Sequence, residues 1–177
     1  RTAIPVHLIF WFAIYSCRRE AEISRLKLSD YDKKHKEWLV RDLKNPNGSA
    51  GNDKHFVINE NTQVLIDELM APDVRERMLK LGGDVDLLIP VNSKSFAARW
   101  QQGLKILGID DLRFHDLRHE GATRFAEDGL TIPQLQQHTL HDSWSSLERY
   151  VKIRRRNNRL NFEEAMRNAE ISILKLK

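Results

Sequence analysis

The stretch His115-Asp116-Leu117-Arg118-His119 opens a helix that the sequence predicts over residues 115–127, with Gly129 ending it. His115 and Arg118 are three residues apart, so they lie on one face of that helix. One side chain could donate to a phosphate oxygen while the other clamps it, because the arginine fork matches two phosphate oxygens and keeps its charge. For such a pair taken alone, the commoner alternative is that His115 caps the helix and Arg118 forms a surface ion pair.

A metal site is a second interpretation of the same stretch, since His115 and His119 have the i, i+4 spacing of a zinc-binding helix. The residue after His115 is Asp116, where the metalloprotease motif has glutamate, and no third ligand is evident. We therefore expect no metal ion at this stretch.

Tyr150 follows His141 by nine residues and carries a hydroxyl that could act as a nucleophile. A tyrosine oxygen can attack a phosphodiester only if the charge of the phosphate is offset, a task that suits arginine. Taken alone, His141 is more often a helix-cap histidine and Tyr150 a tyrosine of the core. Their occurrence together with the arginine–histidine stretch favours covalent chemistry on a nucleic-acid backbone.

An arginine with a carboxylate three residues later, Arg19 with Glu22, predicts a second phosphate clamp at a helix start. The alternative is an ordinary i, i+3 ion pair, which is the more common case for this spacing. Arg18 is the rival for the clamp, but only Arg19 has the carboxylate at this spacing. We therefore assign the clamp to Arg19.

Lys44 stands at the start of a long loop, rich in turn-forming residues, between two strands predicted at 38–40 and 56–58. From the tip of such a β-hairpin, a lysine could donate to a base edge in a groove or protonate a leaving oxygen. Residue type alone favours a solvated loop lysine. Lys54, on the other side of the loop, competes with Lys44 for the role.

Length and composition indicate a soluble globular chain of one domain, or of one domain with a tail: 177 residues, 41% hydrophobic and 31% charged. The apolar stretch at 6–15 is too short to cross a membrane, and it predicts a buried helix at 5–17. The single cysteine, Cys17, excludes an internal disulfide and suits a reducing cytoplasm. Helical periodicity around one predicted hairpin indicates a mainly α fold with a small antiparallel β-sheet, in the α+β class.

A net charge of +4 and an isoelectric point of about 9.3 favour a polyanionic partner without requiring one. Basic residues cluster around Tyr150, and a solvated basic face is the alternative explanation of such a run. The position beside the candidate nucleophile favours contact with nucleic acid. The residues that we assign to DNA binding are Arg149, Lys152, Arg154 and Arg155.

The last segment begins with basic residues and then predicts an amphipathic helix whose apolar stripe needs burial. The stripe could pack on its own domain or dock on a neighbouring protomer, and both possibilities stay open. Its members are Phe162, Ala165, Met166, Ala169 and Ile173.

Taken together, the motifs resemble the tyrosine recombinases, also called phage integrases, over residues 5–155. The catalytic domain of that family carries an Arg-x-x-Glu helix, a hairpin lysine, a His-x-Leu-Arg-His box, a Gly-His pair and a tyrosine nine residues after that histidine. The matching residues in this chain are Arg19 with Glu22, Lys44, the stretch at 115–119, Leu140 with His141, and Tyr150. Leu140 departs from the family pattern, which usually has glycine there, and the departure affects the expected geometry of the turn.

The resemblance implies the fold of a tyrosine recombinase catalytic domain and a reaction without ATP or metal. Tyr150 would attack a DNA phosphodiester, form a 3′-phosphotyrosyl link and release a 5′-hydroxyl. The groups that would offset charge in the transition state are Arg19, Arg118 and His141. The groups that would move protons are His115, at the tyrosine, and Lys44, at the leaving oxygen. The supporting residues would be Glu22, Asp116 and His119.

The resemblance also implies a catalytic domain at 1–155 and a tail helix at 156–177, with the family's N-terminal DNA-binding domains outside this chain. The first residue, Arg1, fits a fragment of a longer protein. The implied partners are double-stranded DNA at attachment or recombination sites, further copies in a homotetramer on DNA, and accessory DNA-bending or excision factors. The chain alone would be a monomer. The implied setting is the cytoplasm and nucleoid of a bacterial cell, for integration or excision of a phage or genomic island.

Three other functions compete with recombination. A type IB topoisomerase uses related chemistry as a monomer, without exchanging strands between partners. A DNA-binding module that has lost catalysis is the second, although the full set of candidate residues argues against it. A metal-dependent nuclease is the third, and the acidic cluster that it would need is missing from the sequence.

Overall fold

The structure, a computed structural model, describes the backbone of residues 3–45 and 47–175 and the side chains in those ranges as far as residue 171. Its helices are α1 (Val6–Ser16), α2 (Glu20–Ile23), α3 (Glu60–Met70), α4 (Pro72–Leu79), α5 (Ser93–Leu107), α6 (Phe114–Glu127), α7 (Ile132–Thr139) and α8 (Phe162–Lys175). Two 3-10 segments lie at Leu28–Asp30 and Trp144–Tyr150. The prediction of a mainly α fold with a small antiparallel sheet is confirmed. No helix in the described ranges is long and apolar enough to span a bilayer.

The sheet contains three antiparallel strands in the order β1 (Tyr31–Asp32), β2 (Glu37–Val40) and β3 (Lys54–Val57). Trp38 pairs with Phe56 across β2 and β3, and both side chains are fully buried. Such a cross-strand aromatic pair fixes the hairpin to the core. The two predicted strands are therefore present, with β3 beginning two residues early. Strand β1 was not predicted, because two residues carry no periodic signal.

Helix α1 forms the centre of the core, as its apolar sequence predicts. It ends at Cys17, which adopts the left-handed conformation at φ 52° and ψ 31°. Helix α6 packs directly against it: a Cβ added at Gly121 would lie 1.9 Å from the Ile14 carbonyl oxygen and 2.8 Å from Cys17 Sγ. The two helices approach this closely only because residue 121 has no side chain.

Three predicted elements differ in the structure. The apolar spacing after Arg19 predicts a short amphipathic helix at 19–26, but the structure confines the helix to α2, because Glu22 caps a single turn. The sequence also predicts a helix at 143–150, and the structure has a 3-10 segment there. Helical spacing over residues 93–107 predicts a buried face that includes Phe96, Trp100 and Leu107. Leu107 is instead 71% exposed, because the last turn of α5 extends beyond the core.

The described part of the segment after Tyr150 packs on the rest of the same chain. Phe162 makes edge contacts with Trp11 and Tyr15 of α1, with ring centroids 5.5 and 4.9 Å apart. Ala165 is buried, and Met166 packs against the core. The side chain of Ile173, the last member of the predicted stripe, lies outside the described residues.

Candidate active site

The turn between α1 and α2 presents Arg19 at the surface of the site. Glu22 Oε2 accepts a hydrogen bond of 3.1 Å from the Arg19 backbone N–H, and Glu22 Oε1 accepts one of 2.6 Å from Arg19 Nη1. The carboxylate therefore caps the helix and holds the guanidinium at the same time. The Arg19 side chain remains 29% exposed, so it is available to a ligand outside the fold.

Arg18, the rival of Arg19 for the phosphate clamp in the sequence analysis, points into the core instead. It is 1% exposed, and its Nη2 donates to the His138 carbonyl oxygen over 2.5 Å. The guanidinium carbon lies 4.9 Å from the centroid of the Phe56 ring, and Nη1 lies 3.4 Å from Glu22 Oε2. Arg18 thus connects the α1–α2 turn to α7 and to the sheet. Its i, i+4 spacing to Glu22 was the only signal for this role in the sequence.

Arg118 reaches the same turn from α6. Its Nη1 donates to the Cys17 carbonyl oxygen over 2.7 Å and lies 4.0 Å from Glu22 Oε2, while its Nη2 lies 3.4 Å from His141 Nε2. Burial, followed by the charges of Arg18 and Arg19, lowers the pKa of Arg118 to about 10. The guanidinium therefore keeps its charge at neutral pH.

Glu22 is the anion on which these three arginines converge. Burial alone would raise its pKa, but the charges of Arg18, Arg118 and Arg19 outweigh burial and lower it. Glu22 is consequently a carboxylate at neutral pH. A single buried negative charge among three guanidinium groups leaves an excess of positive charge, which is the property that a phosphate requires.

His141 enters the site because α7 ends in a left-handed turn at Leu140, with φ 55° and ψ 37°. Leucine adopts here the conformation that glycine favours, so the departure from the family pattern leaves the turn in place. His141 Nδ1 lies 2.7 Å from Thr139 Oγ1. Because Arg118 has only donors, the contact between Nη2 and Nε2 requires an unprotonated Nε2, and Nδ1–H then donates to the threonine hydroxyl.

The protonation state of His141 agrees with that tautomer. Burial, followed by the charges of Arg118, Arg19 and Arg18, lowers the pKa of His141 to about 4. The ring is therefore neutral in the protein alone at neutral pH. A bound phosphate would bring negative charge next to it and favour the protonated form.

Tyr150 is 5% exposed at the end of the second 3-10 segment, and its hydroxyl lies 2.9 Å from His119 Nδ1. The structure describes no hydrogen bond between Tyr150 and His115. His115 is exposed and makes an edge contact with the ring of His119, with centroids 4.9 Å apart. It does not cap α6, because Arg113 occupies the cap position and Asp116 Oδ2 accepts from the Arg113 backbone N–H over 2.7 Å. Asp116 thus supports the start of the helix.

The two candidate lysines of the hairpin have different surroundings. Lys54, at the start of β3, forms an ion pair with Asp142, the residue after His141. Lys44 is exposed, and in the described ranges of the chain it has no hydrogen-bond or ion-pair partner. Lys54 therefore ties the hairpin to the His141 turn, while Lys44 is available to a ligand.

The basic cluster around Tyr150 divides into two parts. Arg156 and Arg159 contact the buried carboxylate of Glu127, with N–O distances of 2.5 and 3.2 Å, and so attach the chain to α6. The other members are exposed and have no ion pair within the described residues: Arg149, Lys152, Arg154 and Arg155. In the described ranges, no group of three or more His, Cys, Asp or Glu side chains could hold a metal ion.

The chain resembles known proteins in sequence and in fold. The profile of the Phage integrase family matches residues 1–157. The Shufflon-specific DNA recombinase of Escherichia coli is 27% identical over 152 residues, covering 85% of this chain and 35% of that protein. The Integrase of Salmonella phage P22 is 39% identical over 54 residues, covering 30% of this chain and 14% of that protein. The chain therefore spans about a third or less of the length of these relatives.

Among solved structures, a lambda integrase dimer bound to a COC′ core site aligns with a TM-score of 0.61 and 17% sequence identity. The alignment covers 89% of this chain and 56% of that one. A likeness at this identity concerns the fold, and it confirms the predicted fold of a tyrosine recombinase catalytic domain.

Proposed function

The chain belongs to the phage integrase family, and from this membership we propose that it is the catalytic part of a site-specific DNA recombinase. The proposed reaction cleaves and rejoins double-stranded DNA through a 3′-phosphotyrosyl link at Tyr150. The proposed catalytic domain occupies residues 1–155, and residues 156–177 form its tail. Family membership supports strand cleavage and rejoining in general.

The contacts of Arg118 are the observation that carries the proposal. One of its nitrogens bonds the turn before Arg19 and another lies 3.4 Å from His141. Three motifs that are distant in the sequence therefore converge on one side of the molecule. Two arginines beside an ion-paired glutamate match the charge and shape of a phosphodiester.

In the proposed cleavage step, the Tyr150 oxygen bonds to phosphorus and the bond from phosphorus to the 5′ oxygen breaks. Arg19 and Arg118 offset the charge that develops on the other phosphate oxygens, with His141 as a further donor once it is protonated. Lys44 gives a proton to the leaving 5′ oxygen. Because the phosphotyrosyl bond replaces the phosphodiester bond, rejoining needs no external energy source.

The exposed basic residues support DNA as the partner, since they flank the segment that carries the nucleophile. They are Arg149, Lys152, Arg154 and Arg155. We propose that copies of the protein form a homotetramer on paired recombination sites, with accessory DNA-bending or excision factors. The names of the Escherichia coli recombinase and the phage P22 integrase support a role in moving a mobile element within a bacterial cell.

A pool of nicked duplexes with randomised sequence around the nick tests the proposal. Cleavage releases a short strand that diffuses away and leaves the protein covalently attached to DNA. We expect a protein–DNA adduct on a denaturing gel, with the nucleotide mapped to Tyr150 by peptide mass spectrometry. Tyr150→Phe is the matched control, because it removes only the hydroxyl. A wild-type protein that yields no adduct, or one at another residue, contradicts the proposal.

A further inference from the structure

The nucleophile candidate Tyr150 is in contact with a histidine to which the reaction above assigns no step. The 2.9 Å separation of the Tyr150 hydroxyl and His119 Nδ1 is a normal hydrogen-bond length. A tyrosine hydroxyl donates to an unprotonated ring nitrogen. The contact therefore presents the proton of the nucleophile to an acceptor.

The surroundings of His119 keep its imidazole neutral. Burial, followed by the charge of Arg149 on the 3-10 segment, lowers the pKa of His119; Arg118 adds to this effect and Asp116 opposes it. The other titratable neighbours are the ring of His115, at 4.9 Å on the same helix, and His141 at the end of α7. A neutral ring with Nδ1 facing the hydroxyl can take up a proton.

The hydroxyl of Tyr150 needs such an acceptor. Burial raises the pKa of Tyr150, and the charges of Arg149 and Arg118 oppose this only in part. The hydroxyl therefore keeps its proton at neutral pH until another group takes it. Among the described contacts, His115 has no hydrogen bond to Tyr150, and its ring packs against the ring of His119.

We propose that His119 accepts the proton of Tyr150 as the tyrosine oxygen attacks the phosphodiester, and returns it when the strands are rejoined. The inference rests on the proposed function, and it moves proton transfer at the nucleophile from His115 to His119. His119 is then a catalytic residue, because it touches the reacting oxygen.

Protons are conserved over the cleavage and rejoining steps. In cleavage, the Tyr150 proton passes to His119 Nδ1, and the 5′ oxygen takes a proton from the Lys44 ammonium as its bond to phosphorus breaks. In rejoining, the 5′-hydroxyl gives its proton to the Lys44 amine and attacks phosphorus. The tyrosine oxygen leaves and takes the proton back from the His119 imidazolium. Neither step needs an oxidant, a reductant or a further reactant.

The test is the rate of adduct formation between pH 6 and pH 9, on a duplex recovered from the nicked pool. His119→Gln retains a hydrogen-bonding side chain but cannot take up a proton. His35→Gln, in the exposed turn between β1 and β2, is the matched control. Wild type and His35→Gln should react at rates that change little between pH 7 and pH 9. His119→Gln should be about 10²-fold slower at pH 7, the scale of a positioned general base. Its rate should then rise about tenfold per pH unit, because only the ionised tyrosine reacts.

A second variant separates proton transfer from packing. His119→Ala leaves room for a small base, so added imidazole should restore part of its rate at pH 7, whereas the same imidazole should not change the rate of wild type. A His119→Gln rate that equals or exceeds wild type would mean that the contact only restrains Tyr150, and would overturn the inference. The inference would also be overturned if His119→Gln were slowed equally at every pH and imidazole did not restore the rate of His119→Ala. Failure of the proposed function looks different, because wild type itself then forms no adduct.

Discussion

Arg118 Nη1 donates to the Cys17 carbonyl oxygen over 2.7 Å, which joins α6 to the end of α1 across 101 residues of sequence. Gly121, one turn farther along α6, lies so close to Ile14 that a Cβ there would be 1.9 Å from the carbonyl oxygen. The close approach of the two helices is what lets the guanidinium reach the turn before Arg19. The placement of both arginines therefore depends on a residue without a side chain.

We expect Gly121→Ala to destabilise the protein by about 2 kcal/mol, in the range for overpacking a close contact with backbone. Gly103→Ala is the matched control, because it also lies in a helix but a Cβ there meets nothing within 4 Å. It should leave stability unchanged or raise it by up to ~1 kcal/mol. Urea unfolding of the two variants measures both values, and equal stability of the pair would contradict the packing argument.

Replacing Arg18 by alanine should mainly lower stability, whereas replacing Arg19 by alanine should mainly slow the reaction. Arg18→Ala leaves Glu22 and the His138 carbonyl short of a buried partner, so unfolding free energy should fall by roughly 3 to 5 kcal/mol. Arg19→Ala removes a partly exposed group, and stability should change by less than about 1 kcal/mol. Adduct formation should nevertheless slow by about 10²–10³-fold with Arg19→Ala, the scale of one lost transition-state donor.

Paired urea melts and adduct rates distinguish the two arginines. A large loss of stability in Arg19→Ala, with a normal adduct rate, would show that Arg19 is a structural ion pair. We would then assign the exposed clamp elsewhere.

A substrate with a different leaving group distinguishes the role of Lys44 from that of Lys54. If Lys44 protonates the 5′ oxygen, Lys44→Ala should cleave an ordinary phosphodiester slowly but a 5′-bridging phosphorothiolate at nearly the wild-type rate, because sulfur leaves without a proton. Lys54→Ala breaks the ion pair with Asp142 instead, so its defect should be the same on both substrates. Selective rescue of Lys54→Ala in this assay would reverse the assignment.

Stability should fall on acidification through the pH range set by His141. Its pKa of about 4 in the folded protein lies below the value of about 6.5 for an unfolded histidine. The unfolded chain therefore binds more protons in that interval, and the contribution of His141 is present above about pH 6.5 and lost as pH falls toward 4. Urea melts at several pH values should show a shallower acid loss for His141→Gln than for wild type. Identical pH profiles for the two proteins would rule out this linkage.

The attachment of α8 should depend on Phe162. Its contacts with Trp11 and Tyr15 are edge-to-face within one chain, so Phe162→Ala should lower the local stability of α8 by roughly 1 to 2 kcal/mol, less than for a fully buried ring. Leu160→Ala, at an exposed side chain nearby, should change it little. Hydrogen exchange of the α8 amides measures the local stability of α8 in both variants. In the wild-type protein, protection of these amides should not depend on protein concentration. Protection that increases with concentration would indicate docking on a second copy.

The sequence predicts the parts of the site that depend on residue type and short spacing. Arg19 with Glu22 and His115 with Arg118 each lie within one helical turn, so local geometry places them together. The apolar run of α1 predicts its burial for a similar reason. The His119–Tyr150 contact could not be predicted in this way, because it depends on where a 3-10 segment meets α6.

Two other differences arise from tertiary packing that local patterns do not contain. Arg18 has the same residue type as its neighbour, and only the position of α7 and the sheet decides that it is buried. Leu107 continues the apolar face of α5, but the core ends before that face does. Helical periodicity describes the orientation of a residue around its axis and carries no information about what lies opposite.

The reactivity of the Cys17 thiol can report on transient opening of the structure around it. The thiol is the single one in the chain, it is fully buried, and burial raises its pKa to about 11. The thiolate is the form that attacks alkylating reagents, so alkylation of this buried thiol should proceed only while α1 and α6 separate. The rate of alkylation would then measure how often the contact between α1 and α6, which holds Arg118 near Arg19, opens. The measurement needs no dye and no engineered residue. Comparing the rate with and without DNA would show whether Arg118 and Arg19 are already aligned in the free protein or become aligned when DNA binds.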